Sequence, residues 1–241
     1  MSDSFVHLHL HTAYSLLDGM IRTKELAARA AELGMPAVAM TDHGNLFGAI
    51  DFYQACRKAG VKPILGCEIY LAPISAQDKK KIPNRKSATH LTLLAETDEG
   101  WRNLSKLTSL GHLDGMYNGK PRVDREILRA HSAGVICLSG CISGPVNEWL
   151  LKGDTEKALE TLTELRDIFG KDNLFVELHN HGLEAQLTVL PQLVALAKQL
   201  DLPVVPANDV HFLHRADPEA HDVIICIGTG SMVIDENRMR Y

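Results

Sequence analysis

The chain has 241 residues, 45% apolar and 23% charged, with a formal net charge of −5 at pH 7. That length suits one large α/β domain or two small ones, and the apolar share supplies a sizeable core. The acidic balance excludes binding to nucleic acid by bulk electrostatics, though not through metal ions. No apolar run is long enough to span a membrane, and the first residues lack the pattern of a signal peptide, so a cytoplasmic location is expected. Five cysteines form no C-x-x-C pair and are expected as free thiols.

Residues 5–12 read as a strand. His7, His9 and His11 alternate with Val6, Leu8 and Leu10, which puts the imidazoles on one face and the apolar side chains on the other. A turn over 14–19 carries Asp18. A helix is predicted over 23–33, stopped by Gly34, then a buried strand over 37–40 that ends in a loop with His43. A helix over 46–59 and a strand over 61–71 carrying Glu68 complete a pattern typical of parallel βαβ units. Residues 73–85, with Lys79, Lys80 and Lys81, are expected to form a surface loop. There follow a strand over 89–95 with His90 near its start, a helix over 98–110, a glycine-rich loop over 111–120 and a short helix after Asp124. The strand over 134–138 runs into Ser139, Gly140 and Cys141, and helices are predicted over 145–151 and 155–169. A strand over 173–178 carries Glu177 and is followed by His179 and His181. A helix over 183–200, a strand over 202–207 ending at Asp209 and His211, and a helix over 218–227 complete the domain; residues 228–241 are expected to begin a following region. Seven strands alternating with helices point to a (β/α) barrel or a distorted relative, a fold that places its chemistry at the C-terminal ends of its strands.

Several of those ends carry metal-type side chains. Imidazole is the commonest metal ligand near neutral pH, and a carboxylate such as Glu68 inside an apolar strand needs a cation or several donors. Other signals have plainer readings: His43 as a helix cap, His90 as a core histidine, Cys141 as a small apolar residue. His179 and His181 repeat the H-x-H spacing and stand either in solvent or against substrate, and the lysine run from Lys79 is either a solvated loop or a phosphate contact. His112, His131, His214 and His221 are read as surface or helix residues. Nine candidates remain: His9, His11, Asp18, His43, Glu68, His90, Cys141, Asp209 and His211. One tetrahedral zinc takes three or four ligands, so nine serve two or three ions, with a carboxylate bridging. Mixed nitrogen and oxygen ligation suits zinc, manganese or iron. Metals roughly 3.5–4 Å apart clamp both the attacking and the leaving oxygen of a phosphate ester, so phosphoester hydrolysis is the expected reaction.

Segments along the whole chain carry a resemblance: FVHLHLHTAYSLLDG (5–19), GMPAVAMTDHGNLFGAIDFY (34–53), GVKPILGCEIYLAP (60–73), THLTLLA (89–95), KPRVD (120–124), LSGCISG (138–144), ELHNHG (177–182), NDVHFL (208–213), AHDVIICIGTG (220–230) and ENRMRY (236–241). The sequence resembles the PHP (polymerase and histidinol phosphatase) domain, in the form carried by bacterial replicative DNA polymerases. The resemblance implies a distorted seven-stranded (β/α) barrel with a trinuclear metal site. The nine candidates above fall on the family's ligand positions, and His9, His11, Asp209 and His211 are assigned to catalysis. His181 and Lys79 become candidate substrate contacts. The implied activity is metal-dependent 3′–5′ exonucleolytic proofreading of a DNA primer end, alongside the other polymerase domains and replisome subunits. At 179 this chain has His where the resembling stretches carry Gln. Two other readings accompany this one: a structural module whose metals serve folding only, and a free-standing phosphatase.

Overall fold

Parallel pairing begins where the strand–helix spacing predicts it. α1 (Thr23–Glu32) leads into β1 (Ala37–Met40), α2 (Ala49–Ala59) leads into β2 (Lys62–Leu71), and the two strands pair in parallel from Ala37 with Lys62 to Met40 with Leu65. Leu26, Ala27 and Ala30 of α1 and Phe52 and Cys56 of α2 bury against Val38 and Met40. Helices on its face explain why β1 is a continuous apolar run. This computed structural model describes residues 5–16 and 18–240; residues 1–4 lie outside it, as do Leu17 and Tyr241, which belong to two of the motifs quoted above.

The first departure from simple alternation is β3 (Thr89–Ala95). It runs antiparallel to β2, with Tyr70 opposite His90, and antiparallel to β6 (Val135–Leu138). The connection over 72–88 contains no helix, so it lacks the usual means of returning the chain for a parallel pairing. Reversal brings the start of β3 to the end of the sheet where β2 finishes.

α3 (Asp98–Leu113) is followed by a hairpin of β4 (Met116–Tyr117) and β5 (Lys120–Val123), where only a loop was expected; β5 then pairs in parallel with the end of β2. α4 (Arg125–Ala130) starts at Asp124, whose carboxylate accepts a hydrogen bond from the Ile127 N–H at 3.0 Å. Beyond β6 come α5 (Pro145–Leu150), α6 (Thr155–Phe169), β7 (Leu174–Leu178), α7 (Glu184–Gln199), β8 (Val204–Pro206) and α8 (Pro218–Thr229). β6, β7 and β8 are parallel, and the sheet order is β4-β5-β2-β3-β6-β7-β8 with β1 beside β2. Leu162, Leu165, Leu193 and Leu196, from α6 and α7, join Leu93, Cys137 and Val176 in the larger core.

The N-terminal segment forms no strand ladder, contrary to expectation. It is an extended tie. Ala39 N–H donates to His7 O (2.8 Å) and Thr41 N–H to Leu10 O (2.9 Å) on one side. On the other, His11 N–H donates to Val210 O (2.7 Å) and Val210 N–H to His9 O (3.2 Å). The first residues therefore stitch β1 to the chain that follows β8. Among the described residues there are eight strands and eight α-helices in a mixed α/β fold, with this tie in place of a closing ladder.

Candidate metal centre

The tie at residues 7–11 is what delivers the first two candidate ligands. His9 and His11 are fully buried, and their Nε2 atoms lie 3.2 Å apart. Asp209 approaches both from the segment after β8, its Oδ1 3.3 Å from His9 Nε2 and 3.1 Å from His11 Nε2. Its φ of 48° lies in the left-handed region that Asp tolerates better than most residues. His211 stacks on the His11 ring at 4.3 Å, its Nδ1 2.8 Å from the Asp209 carbonyl.

Glu68, 1% exposed in β2, stands at the middle. Its Oε1 is 3.4 Å from His9 Nε2, 3.1 Å from His90 Nδ1 and 3.5 Å from the Cys141 sulfur; its Oε2 is 2.6 Å from His43 Nδ1 and 3.6 Å from His11 Nε2. Asp18 reaches His43 Nε2 at 2.9 Å. Two glycines make the approach possible. Gly44, at φ 60°, turns the chain after His43 and donates its N–H to Glu68 O, while Gly140, at φ 92°, precedes Cys141 where a Cβ would stand 2.3 Å from the His90 carbonyl.

All nine candidates therefore come together, His90 included. Its place near a strand start looked wrong for a site at strand ends, and the antiparallel run of β3 resolves this. Ligand-capable atoms converge in four groups within 4.8 Å: His11 with His43 and His211, His9 with His11 and Asp209, His43 with Glu68 and His90, and His9 with Glu177 and His179.

The histidines are held in turn by a second set of residues. His9 Nδ1–H donates to Glu177 Oε1 at 2.6 Å, and His179 Nε2–H donates to the same oxygen at 2.8 Å. That contact holds the His9 ring by Nδ1–H and turns its Nε2 toward His11 and Asp209. His11 Nδ1 donates to Ser15 Oγ (2.9 Å), whose hydroxyl donates to Asp42 Oδ1 (2.7 Å); Asp42 also accepts from the N–H and hydroxyl of Thr12. His221, a residue of α8 as the sequence reading allowed, is buried and bonds the Asp18 carbonyl at 2.6 Å, and His112, in α3, bonds the Gly44 carbonyl at 3.0 Å. Glu177 sends the same signal that singled out Glu68, a carboxylate inside an apolar strand. Nothing in the sequence distinguished Asp42 from its neighbours.

Charge in the cluster is balanced by protons. Burial alone would raise Glu68, but His90, His43 and His9 hold it well below the carboxylate range, and Asp209 is lowered in the same way by His9 and His11. His43 is raised to about 10, Glu68 and Asp18 outweighing its burial. His11 falls to about 3, from burial and from His43 and His211 beside it. Burial and Glu68 push the Cys141 thiol well above its usual value. Four buried atoms of this cluster make no hydrogen bond: Asp18 Oδ1, His43 Nδ1, Glu68 Oε2 and Asp209 Oδ1. His43 Nδ1 and Glu68 Oε2 are close but not aligned as donor and acceptor. Ligand-type atoms gathered within 4.8 Å of one another, several of them buried without a hydrogen bond, fit divalent cations that would displace the protons.

The two proposed substrate contacts part company. His181 lines the cleft above the cluster, a cavity of about 710 Å³ that also exposes Tyr70, Lys120 and Asn208. Lys79 does not reach it: its ammonium donates to the carbonyls of Ala76 and Asp114 at 3.1 and 3.0 Å.

Residues 7–181 match the family described as PHP domain. The chain belongs to the PHP domain family. Asp209 and His211 lie beyond the matched range and join the PHP site through the fold. The PHP chain is 44% identical over 238 residues to the DNA polymerase III subunit alpha of Treponema pallidum and 43% identical over 236 residues to that of Borreliella burgdorferi, covering 99% and 98% of this chain. It spans 20% of the length of each of these relatives. A candidate metal-dependent phosphoesterase of Bifidobacterium adolescentis superposes with a TM-score of 0.56 at 14% identity, covering 96% of this chain and 98% of that one. An amidohydrolase of Chromobacterium violaceum, with bound sulfate and no metal, gives the same TM-score and identity over 86% of this chain and 87% of its own. At that identity both are likenesses of fold. No helix among the described residues is long and apolar enough to cross a membrane.

Proposed function

We propose that this chain is the PHP domain of a bacterial replicative DNA polymerase alpha subunit, and that it removes nucleotides from DNA 3′ ends. The observation that carries the reading is the convergence of nine ligand-type side chains, four of whose buried atoms lack a hydrogen bond. The 44% identity to a DNA polymerase III subunit alpha supplies the biological setting. Residues 1–241 then form one domain, with 228–241 leading toward the remaining polymerase, and its partners are the DNA primer end and the replisome in the cytoplasm.

His9, His11, Asp18, His43, Glu68, His90, Cys141, Asp209 and His211 would hold two or three zinc, manganese or iron ions, Glu68 bridging by virtue of its central place. Bound there, such ions polarise a phosphate ester and stabilise charge on both of its reacting oxygens. The chain's own groups position the substrate. Gln186 Oε1 accepts from the His181 N–H at 2.8 Å, which turns its amide nitrogen toward His181 Nδ1 at 3.1 Å. A donor on Nδ1 leaves the imidazole proton on Nε2, available to a phosphate oxygen or to the departing 3′ oxygen.

Incubation of the manganese- or zinc-loaded chain with single-stranded DNA labelled at either end tests this. The 3′ label should appear at once as mononucleotide, while 5′-labelled strands shorten stepwise, and chelator should stop both. Mononucleotide released first from the 5′ label would refute the direction. Intact DNA with metals bound would leave the cluster a folding element of the polymerase.

A further inference from the structure

With Lys79 committed to backbone carbonyls, the cations of the cleft come from elsewhere. Lys120, at the start of β5, lines the cavity with its ammonium 5.2 Å from the centre of the Tyr70 ring. Tyr70 in turn stacks on the ligand His43 at 5.9 Å and meets the ligand His90 edge-on at 5.0 Å. One aromatic ring thus separates the lysine from the metal ligands. Lys86 comes in from the 72–88 connection. Its N–H is held by Glu148 Oε1 at 3.2 Å and its ammonium by Ser143 Oγ at 3.4 Å, and Ser143 also lines the cavity.

No carboxylate lies within ion-pair distance of the Lys120 ammonium among the described residues, nor does it make a hydrogen bond to one of them. Burial and the neighbouring Lys86 both lower its proton affinity, against a weaker opposing pull from Glu68. Glu68 itself is already engaged by the histidines around it. A half-buried ammonium with no carboxylate partner, and a second, exposed lysine held at Ser143 on the same rim, cost free energy unless an anion completes the arrangement. Loaded metals would make the cleft more positive still.

We propose that Lys120 and Lys86 form a second anion subsite on the rim of the metal cleft, which takes the phosphate next to the one being cleaved. The subsite rests on the phosphoesterase reading and deepens it: the ligand class is a strand with consecutive phosphates, in preference to a mononucleoside monophosphate. Tyr70, between the two subsites, sets their separation.

Equilibrium binding to the metal-loaded chain, measured by calorimetry, tests this with thymidine 5′-monophosphate and thymidine 3′,5′-bisphosphate as probes. Lys120→Ala should weaken the bisphosphate about tenfold, the size of one lost hydrogen bond to a charged group. It should leave the monophosphate within about twofold and metal content unchanged, and Lys120→Arg should retain most of the bisphosphate affinity. Lys86→Ala, on an exposed residue, should act in the same direction by a smaller factor, and it carries the test if Lys120→Ala does not fold. Equal weakening of both probes, or of neither, would overturn the subsite. Binding is read without turnover, so a chain that binds the bisphosphate through Lys120 yet cleaves no DNA would uphold the subsite and refute the nuclease.

Discussion

At the scale of the residue, the site separates candidate ligands from the side chains that hold those ligands in place. Glu177→Gln tests the distinction. It keeps shape but removes the charge that holds His9 Nδ1–H and lets the imidazole turn. Affinity for zinc should fall about 10- to 100-fold, as for other partners of metal-bound histidines, with the fold retained by circular dichroism. Asp209→Asn should weaken binding more, because it removes a charged ligand, and His214→Ala, at an exposed position outside the site, should change neither. Unaltered zinc affinity in Glu177→Gln would reduce Glu177 to packing. Much of this centre was legible in the sequence because H-x-H, D-x-H and a carboxylate in an apolar strand each violate what a core normally contains. What was not legible depends on long-range geometry. Asp42 looks like any loop acid until Thr12 and Ser15 close on it, and His221 reaches Asp18 from 203 residues away.

At the scale of the element, Arg122 ties together the two ends of the connection over 72–88. Arg122, 1% exposed, donates to the carbonyls of Ser87, Ala76 and Asp78 at 3.0, 3.1 and 2.8 Å, more distantly to Gly115, and packs over the Tyr117 ring at 4.5 Å. Arg122→Met fills much of the volume but leaves the Ser87 and Asp78 carbonyls without their donor. Stability to urea should fall by roughly 3 kcal/mol, and cleavage by trypsin should increase first within 72–88, where Lys79, Lys80 and Lys81 lie. Protection equal to that of the unaltered chain would refute the anchor. The helices flanking this region were readable in the sequence, and the structure adds the cap of α3, the Thr97 hydroxyl that accepts the Gly100 N–H. The β4–β5 hairpin was not, since a two-residue strand carries too few side chains for a period to show. The reversal of β3 did leave a trace, a long connection with no helical pattern.

At the scale of the whole molecule, the proposed metal binding would be coupled to folding, because the candidate ligands come from both ends of the chain and from the strands between them. Chelation should lower the melting temperature, and the stripped chain should respond to pH with a definite sign. His43 is raised to about 10 in the folded chain, so its contribution is complete below its ordinary value of about 6.5 and is lost as pH rises through about 10. Metal affinity runs the other way, increasing over the same window as His43 gives up its proton. Melting curves of stripped and zinc-loaded protein between these limits should therefore diverge with rising pH; a constant gap would remove His43 from the ligand set. The central claim is that nine side chains form one multinuclear centre, and native mass spectrometry after equilibration with excess zinc or manganese tests it most directly. Two or three ions per chain, falling in Asp209→Asn, is the predicted result. One ion or none in the unaltered chain would contradict it.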